Sequence, residues 1–333
     1  MKHPIHLIGL AAAALALTPT ARPAQESVTS PFQTRDLAFT SADLQLEATL
    51  LLPNVREGRV PGVAIIHGSG DSDRANPWTR AYAQALACRG IAVLHPDKRG
   101  SGQSGGDWRS ATLSDLANDA LAALRCLRKE PGLDPDRLGL IGFSQGGDIL
   151  PLAASREAQV SFTIDISGSV VPMAEQLADE VELSARRAGC AQPEIDLLLR
   201  LNEKGLQFVR SGLELDWVDY ENDLISAKRG ALRGSTVLER FPDRRDHPAL
   251  TSVRHLVSYD PMLFWKQVTV PKLFVFGGRD TQVRVDKSLR RLQSELAKDN
   301  NYSVLLFNPN GHALFREDLC DFLVRWIKQS GQP

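Results

Sequence analysis

Leu138-Gly139-Leu140-Ile141-Gly142-Phe143-Ser144-Gln145-Gly146-Gly147 begins as a short apolar run and ends in a serine bracketed by glycines. A run of that length, bounded by turn residues, reads as a strand buried on both faces. Gly-x-Ser-x-Gly follows it directly and helical sequence comes next, the strand–turn–helix context in which such a serine acts as a nucleophile. The glycines have a mechanical reason. The turn is sharp, neighbouring backbone comes too close for side chains, and the strain lifts the serine hydroxyl above the sheet. Ser144 is therefore the candidate nucleophile.

Working outward, Val63 to Ile66 and Ile91 to Leu94 repeat the short apolar pattern, and Asp36 to Thr40 and Leu44 to Leu52 precede them as an antiparallel hairpin. Leu44, Leu46 and Ala48 alternate with polar residues, the period of a half-buried strand. Leu113 to Lys129 reads as a helix: Thr112 and Asp115 stand in capping-box spacing, Leu116, Ala120, Leu124 and Leu127 share a face, and Pro131-Gly132 stops it. Strands alternating with helices predict an α/β fold with a mostly parallel sheet and helices on both faces. After a strand at Ser161 to Ile166 the alternation stops. Met173 to about Leu256 is helical and charge-rich, with apolar clusters at Leu197, Leu198, Leu199 and Leu201 and again at Leu206, Phe208 and Val209. The rhythm resumes with a strand at Lys272 to Phe276, a helix at Val285 to Leu296, a strand at Tyr302 to Phe307 and a helix from about Arg316 to Lys328. The chain thus divides into α/β core at 28–168 and 258–330, interrupted by a helical insertion at 169–257.

A serine hydroxyl needs a base, usually a histidine oriented by a carboxylate. In this strand–turn–helix context the chain order is serine, acid, histidine. His247, His255 and His312 follow Ser144, and only His312 lies in a turn after a core strand; the other two sit in the charged insertion, where a solvated surface role is expected. Asp280, in the turn after Lys272 to Phe276, is the best-placed acid. Its competitor is Asp165, inside a strand, where a buried structural role is expected. Two N–H donors must face the oxyanion. Gln145, after the nucleophile, supplies one and Ser69, in His67-Gly68-Ser69-Gly70, the other, with the His67 ring tying down the loop. The glycine-rich loop from Asp97 to Gly106 lacks a phosphate-binding pattern and a helix at its end, and reads as a rigid loop beneath the site, with Arg99 paired to Asp97 or another carboxylate.

The 333 residues are 43% hydrophobic and 24% charged, enough apolar material for a full core. The formal net charge is −1 and no Lys/Arg-rich run tracks a phosphate backbone, so no nucleic-acid partner is expected. No G-x-G-x-x-G follows the first parallel strand, which argues against a dinucleotide oxidoreductase. Lys2, an uncharged run from Pro4 to Ala21 and a small-residue exit read as a secretory signal peptide over 1–24, cleaved near Ala21 or Ala24. The run is short for a membrane span, so a periplasmic or secreted protein without a stable span is expected. Cys88, Cys126, Cys190 and Cys320 contain no C-x-x-C pair and support no zinc site. Cys88 and Cys126 read as small buried hydrophobes, with a disulfide left open.

In this order and spacing, HGSG at 67–70, HPDKRGSGQSGG at 95–106, GFSQGG at 142–147, FGGRD at 276–280 and NGHALF at 310–315 resemble the α/β-hydrolase superfamily. Bacterial serine esterases related to acyl-aminoacyl peptidases and dienelactone-hydrolase-like enzymes are the most similar. The resemblance covers Leu44 to Ile166 and Tyr259 to Trp326. It implies an eight-stranded sheet with a helical cap between the sixth and seventh strands, a Ser144, Asp280, His312 triad, an oxyanion hole from Ser69 and Gln145, and no cofactor. Peptidases of this group often carry a large N-terminal propeller, and the sequence has no such stretch ahead of Leu44.

These features predict an exported serine hydrolase that cleaves carboxylic esters of small molecules through an acyl-enzyme. Peptidase, thioesterase and acyltransferase chemistry use the same machinery. A non-catalytic binding protein is the rival from another class. The apolar clusters of the insertion either pack onto the core or line an acyl pocket.

Overall fold

Every residue of the strand Val60–Ile66 is buried, which only a central strand covered on both sides achieves. The computed structural model describes residues 30–54 and 58–330, and the expected signal peptide lies outside them. An eight-stranded sheet forms the centre, in the order β1-β2-β4-β3-β5-β6-β7-β8. The opening hairpin joins β1 (Phe32–Ser41) to β2 (Leu44–Pro53), antiparallel from Phe32 opposite Pro53 to Ser41 opposite Leu44. Its two-residue loop needs positive φ, which Ala42 adopts at 50°. β2 runs antiparallel to β4 (Ala92–Pro96), and from β4 onward β3 (Val60–Ile66), β5 (Leu133–Phe143), β6 (Thr163–Ile166), β7 (Lys272–Gly277) and β8 (Tyr302–Phe307) are parallel.

Strand periodicity divides the core in two. Ala64 and Ile66 of β3, Leu138 and Leu140 of β5 and Phe274 and Phe276 of β7 face α2 (Leu113–Arg128), α3 (Gly146–Ala154), α8 (Met262–Trp265) and α9 (Val285–Glu295). Val63, Ile65, Ile141, Phe143, Leu273 and Val275 face α1 (Pro77–Ala87) and α10 (Glu317–Gln329). The helix α10 buries Leu319, Cys320, Leu323, Val324 and Ile327, one apolar stripe at helical spacing, each large aliphatic side chain contributing about 1.5–3 kcal/mol. Thr112 and Asp115 close the expected capping box on α2.

Between β6 and β7 lie α4 (Met173–Arg187), α5 (Gln192–Ser211), α6 (Glu214–Arg229), a 3-10 turn at Leu238–Arg240 and α7 (Pro248–Leu256), so the insertion is helical as expected. Residues Leu198, Leu201, Phe208, Trp217, Tyr220 and Leu250 belong to a cluster distinct from the two faces of the sheet. α5 stops at Gly212, whose φ of 67° is the left-handed C-terminal turn that glycine adopts without strain. α4 is fastened to the core: Met173 N donates to Tyr259 O at 2.9 Å, Gln176 Nε2 to Gln282 O at 3.0 Å, and Lys287 Nζ to Asp179 Oδ1 at 2.6 Å.

All four cysteines are free thiols. The expectation of two buried hydrophobes needs correction: Cys88 is exposed and Cys126 half-buried, whereas Cys320 is the buried one. Cys88 is the C-cap of α1, where the helix stripe that faces the sheet has already ended.

Candidate active site

Ser144 occupies the turn between β5 and α3 with φ of 52°, a left-handed conformation that a non-glycine residue adopts only where its surroundings impose it. They do so here. Ser144 N donates to Ile166 O at 2.9 Å, and Gly147 N donates to Ser144 O at 2.8 Å. A Cβ on Gly142 would come within 2.6 Å of the Gly146 backbone, and one on Gly146 within 2.6 Å of Ile66 O, so the turn closes only with glycine at both places.

The loops after β7 and β8 bring Asp280 and His312 to this serine. His312 Nε2 lies 2.9 Å from Ser144 Oγ, and His312 Nδ1 lies 2.8 Å from Asp280 Oδ2. A carboxylate only accepts, so Nδ1 carries the proton and Nε2 turns its lone pair to the hydroxyl. Asp280 has no exposed side-chain surface, and its other oxygen accepts from Gln282 N at 2.7 Å and Val283 N at 2.9 Å. These bonds fix the orientation of the carboxylate toward His312. The His312 loop is fixed as well: Ser167 Oγ donates to His312 O, and Trp78 Nε1 and Tyr82 Oη both donate to Leu314 O, each at 2.8 Å. Trp78 also sets its ring 5.6 Å from that of His312.

On the other side of the serine the chain passes so close that a Cβ on Gly68 would meet Ser144 Cβ at 3.3 Å. Ser69 is exposed and Gln145 half-buried, so both expected oxyanion residues adjoin Ser144, one through Gly68 and the other along the chain. Lys98 spans the two elements. It is 8% exposed, and its Nζ donates to Gly68 O at 2.8 Å, to Gly70 O at 3.3 Å and to Gln145 Oε1 at 3.2 Å. Burial lowers its pKa to about 8, against the opposing pull of Asp71. His67 holds the same loop: Nε2 donates to Pro96 O at 2.7 Å and Nδ1 accepts from Ser72 Oγ at 2.8 Å. Burial lowers its pKa to about 4, so the ring is neutral and structural.

The loop from Asp97 to Gly106 is rigid through ion pairs. Asp97, 2% exposed, receives Arg74 Nε at 2.8 Å and Arg74 Nη2 at 2.9 Å. Arg99 forks onto Asp119 of α2 at 2.6 and 2.7 Å, so its partner is the second of the expected choices. Asp165 stays out of the His312 contact. It is buried against Gly147 and Gly168 and accepts from Gly168 N at 3.0 Å, and burial pushes its pKa up to about 8. Buried Asp148 in α3 is pushed up too, by burial and then by Asp165 and Glu180. Of the remaining histidines, His247 caps α7 by accepting from Ala249 N at 3.2 Å and His255 is exposed.

Sequence reasoning missed Lys98 as a bridge, Arg74 as the partner of Asp97, and Trp78, Tyr82 and Gln176 as supports. Their contacts span long sequence separations and leave no local pattern. Among the described residues no group of three or more His, Cys, Asp or Glu is placed to hold a metal ion. Nor is any helix there long and apolar enough to cross a membrane.

A parallel sheet with the serine on a strained turn at a strand end, and an imidazole and a carboxylate in line behind it, defines the α/β-hydrolase class. The profile of the Alpha/beta hydrolase family matches residues 63–326, and the chain belongs to that family. It is 24% identical over 279 residues to the esterase EstD of Thermotoga maritima, a match covering 82% of this chain and 59% of EstD. It is 29% identical over 185 residues to the thiohydrolase aneE of Aspergillus aculeatus, covering 51% of this chain and 56% of that protein. The chain therefore spans well under two thirds of the length of both curated relatives. The Pyrococcus furiosus esterase Pf2001 superposes with a TM-score of 0.58 at 18% identity, covering 90% of this chain and 92% of that one.

Proposed function

We propose that this protein is an exported serine hydrolase of carboxylic esters, with Ser144 as nucleophile, His312 as general base and acid, and Asp280 as the group that orients the imidazole. The observation that carries the reading is the continuous relay from Ser144 Oγ to His312 Nε2 at 2.9 Å and from His312 Nδ1 to Asp280 Oδ2 at 2.8 Å. In this scheme Ser144 Oγ attacks the ester carbonyl as its proton passes to His312 Nε2. The tetrahedral oxygen is met by the Ser69 and Gln145 N–H groups. Collapse expels the alcohol, which takes the proton from His312 and leaves an acyl-serine. Water, deprotonated by the same imidazole, releases the acid and restores the serine.

Likeness to EstD supports ester substrates, and likeness to aneE supports thioesters as a second class, since the same steps expel a thiol. The helices of the insertion serve as a cap that sets the size of the substrate. Export rests on Lys2 and the apolar run Leu7 to Leu17. N-terminal sequencing of protein recovered from the periplasm or medium tests that part, and an intact Met1 would contradict it.

The decisive assay for the activity is hydrolysis of a p-nitrophenyl ester series, with Ser144→Ala as control. Turnover lost in the variant is expected. A folded wild-type protein inert toward every ester and thioester would remove the reading.

A further inference from the structure

The peptide that joins Gln282 to Val283 is held at both of its polar ends. Its N–H, on Val283, donates to Asp280 Oδ1 at 2.9 Å, beside the Gln282 N–H at 2.7 Å. Its carbonyl, on Gln282, accepts from Gln176 Nε2 of α4 at 3.0 Å. A trans peptide is planar and points its C=O and N–H in opposite directions, so a donor that fixes the oxygen also fixes the line of the N–H. Hydrogen bonds in series polarise one another as well. From Gln176 the series runs through this peptide to Asp280, on to His312 Nδ1 at 2.8 Å, and from His312 Nε2 to Ser144 Oγ at 2.9 Å. One end of it stands in the helical insertion and the other is the candidate nucleophile.

The Gln176 amide is turned for this contact against its own interest. Its Nε2 also donates to Glu180 Oε1 at 3.0 Å, one turn along α4. A carboxylate and a carbonyl are both acceptors, so the nitrogen of the amide must face them. Oε1 is then left buried without a partner among the described residues, on a side chain that is 6% exposed. A methionine would pack in that place without burying an unpaired oxygen, so packing alone does not account for glutamine there. Docking of α4 does not account for it either. Lys287 Nζ reaches Asp179 Oδ1 at 2.6 Å and Glu175 Oε1 at 2.9 Å, and Arg284 Nη1 reaches Glu182 Oε2 at 3.3 Å, which holds the helix to α9 and its N-cap without position 176. We infer that Gln176 is a positioning residue of the triad: it aims the Gln282–Val283 peptide at Asp280, Glu180 keeps its amide turned, and the insertion thereby completes the alignment of the acid. The inference rests on the serine-hydrolase reading above. Asp280 is fully aligned only while α4 is docked, which ties turnover to the position of the insertion.

The test sets Gln176→Met, which removes both hydrogen bonds, beside Gln176→Lys, whose ammonium can restore them, and Glu180→Leu, which frees the amide to turn. With p-nitrophenyl acetate, Gln176→Met is expected to lose about tenfold in kcat with KM within about twofold. Gln176→Lys should recover most of that loss, and Glu180→Leu should fall between the wild type and Gln176→Met. In an Asp280→Asn chain, Gln176→Met should cost less than about twofold further, because its route to the imidazole is already cut. Proton NMR in the Ser144→Ala background reads the alignment without turnover. The His312 Nδ1–H resonance, identified by its change in Asp280→Asn, is expected to shift or broaden in Gln176→Met and to return in Gln176→Lys. Should Gln176→Met not fold, Glu180→Leu carries the same comparison. If the variants keep the wild-type kcat and resonance, or if the loss in Gln176→Met multiplies with that of Asp280→Asn, the positioning role is overturned and the hydrolase stands. A chain inert to every ester whose resonance still follows Gln176 keeps the positioning and removes the esterase reading.

Discussion

Lys98 and Gln145 meet across the site, the ammonium donating to the Gln145 amide oxygen at 3.2 Å while it also grips the Gly68 and Gly70 carbonyls at 2.8 and 3.3 Å. One buried cation thus couples the loop that supplies Ser69 to the residue after the nucleophile. In the proposed mechanism its work is positioning, since it would hold the two proposed oxyanion residues without itself exchanging a proton with substrate.

Lys98→Met is expected to lower kcat roughly tenfold to hundredfold with little change in KM, because misplaced oxyanion donors cost transition-state binding alone. Lys98 titrates near 8, so wild-type kcat should fall on the alkaline side as the ammonium is lost. Lys98→Arg should move that limb upward. A pH–rate profile of the three proteins decides it, and identical alkaline limbs would show that Lys98 only packs.

Asp280 and Asp165 separate by mutation. Asp280→Asn presents the wrong partner to His312 Nδ1 and is expected to lower kcat by about 10³–10⁴ without unfolding the protein. Asp165→Asn should leave kcat within about threefold, since Asp165 has no contact with the imidazole. The reverse result would reassign the acid.

Asp165 also sets a stability slope. Its folded pKa is about 8 against an ordinary 3.8, so between those values the folded chain keeps a proton that the unfolded chain has released. Stability from this group is therefore present at low pH and is lost as pH rises toward 8. Asp165→Asn should raise stability by roughly 2–4 kcal/mol at pH 8 and by nothing measurable near pH 4. Buried Asp148 contributes in the same direction in both proteins. Chemical denaturation at the two pH values measures the difference.

The Arg74–Asp97 pair is a third target. Arg74→Met leaves the buried Asp97 carboxylate without its cation and should cost about 3 kcal/mol. Adding Asp97→Asn should recover part of that loss by removing the buried charge, and only part, because Arg74 N and Gln103 N, both at 2.9 Å, reach different oxygens and an amide offers one acceptor. Urea denaturation of the single and double variants reads both terms.

What could be read in advance was whatever is periodic or local. Buried parallel strands announce themselves by apolar runs, so β3, β5 and β7 were legible, as were the Thr112 capping box and the glycine-bracketed Ser144. Turn residues after such strands pointed to Asp280 and His312, because a strand end can deliver side chains to Ser144, and both lie in hydrogen-bond series with it. Long-range supports were not legible: nothing near Trp78 in sequence says that it reaches the loop of Leu314, and nothing near Gln176 says that it ties α4 to Gln282. The cysteines mislead for a related reason. Cys88 stands among apolar neighbours, yet one further residue along a helix turns a side chain by about 100° and out to solvent.

The most direct measurement of the central claim is intact-protein and peptide mass after reaction with a fluorophosphonate, a reagent that captures only an activated serine. One phosphonyl group per chain on Ser144, formed quickly by the wild type and at least a hundredfold more slowly by His312→Ala, is the expected result. Labelling elsewhere, or a Ser144 that reacts equally fast without His312, would contradict it.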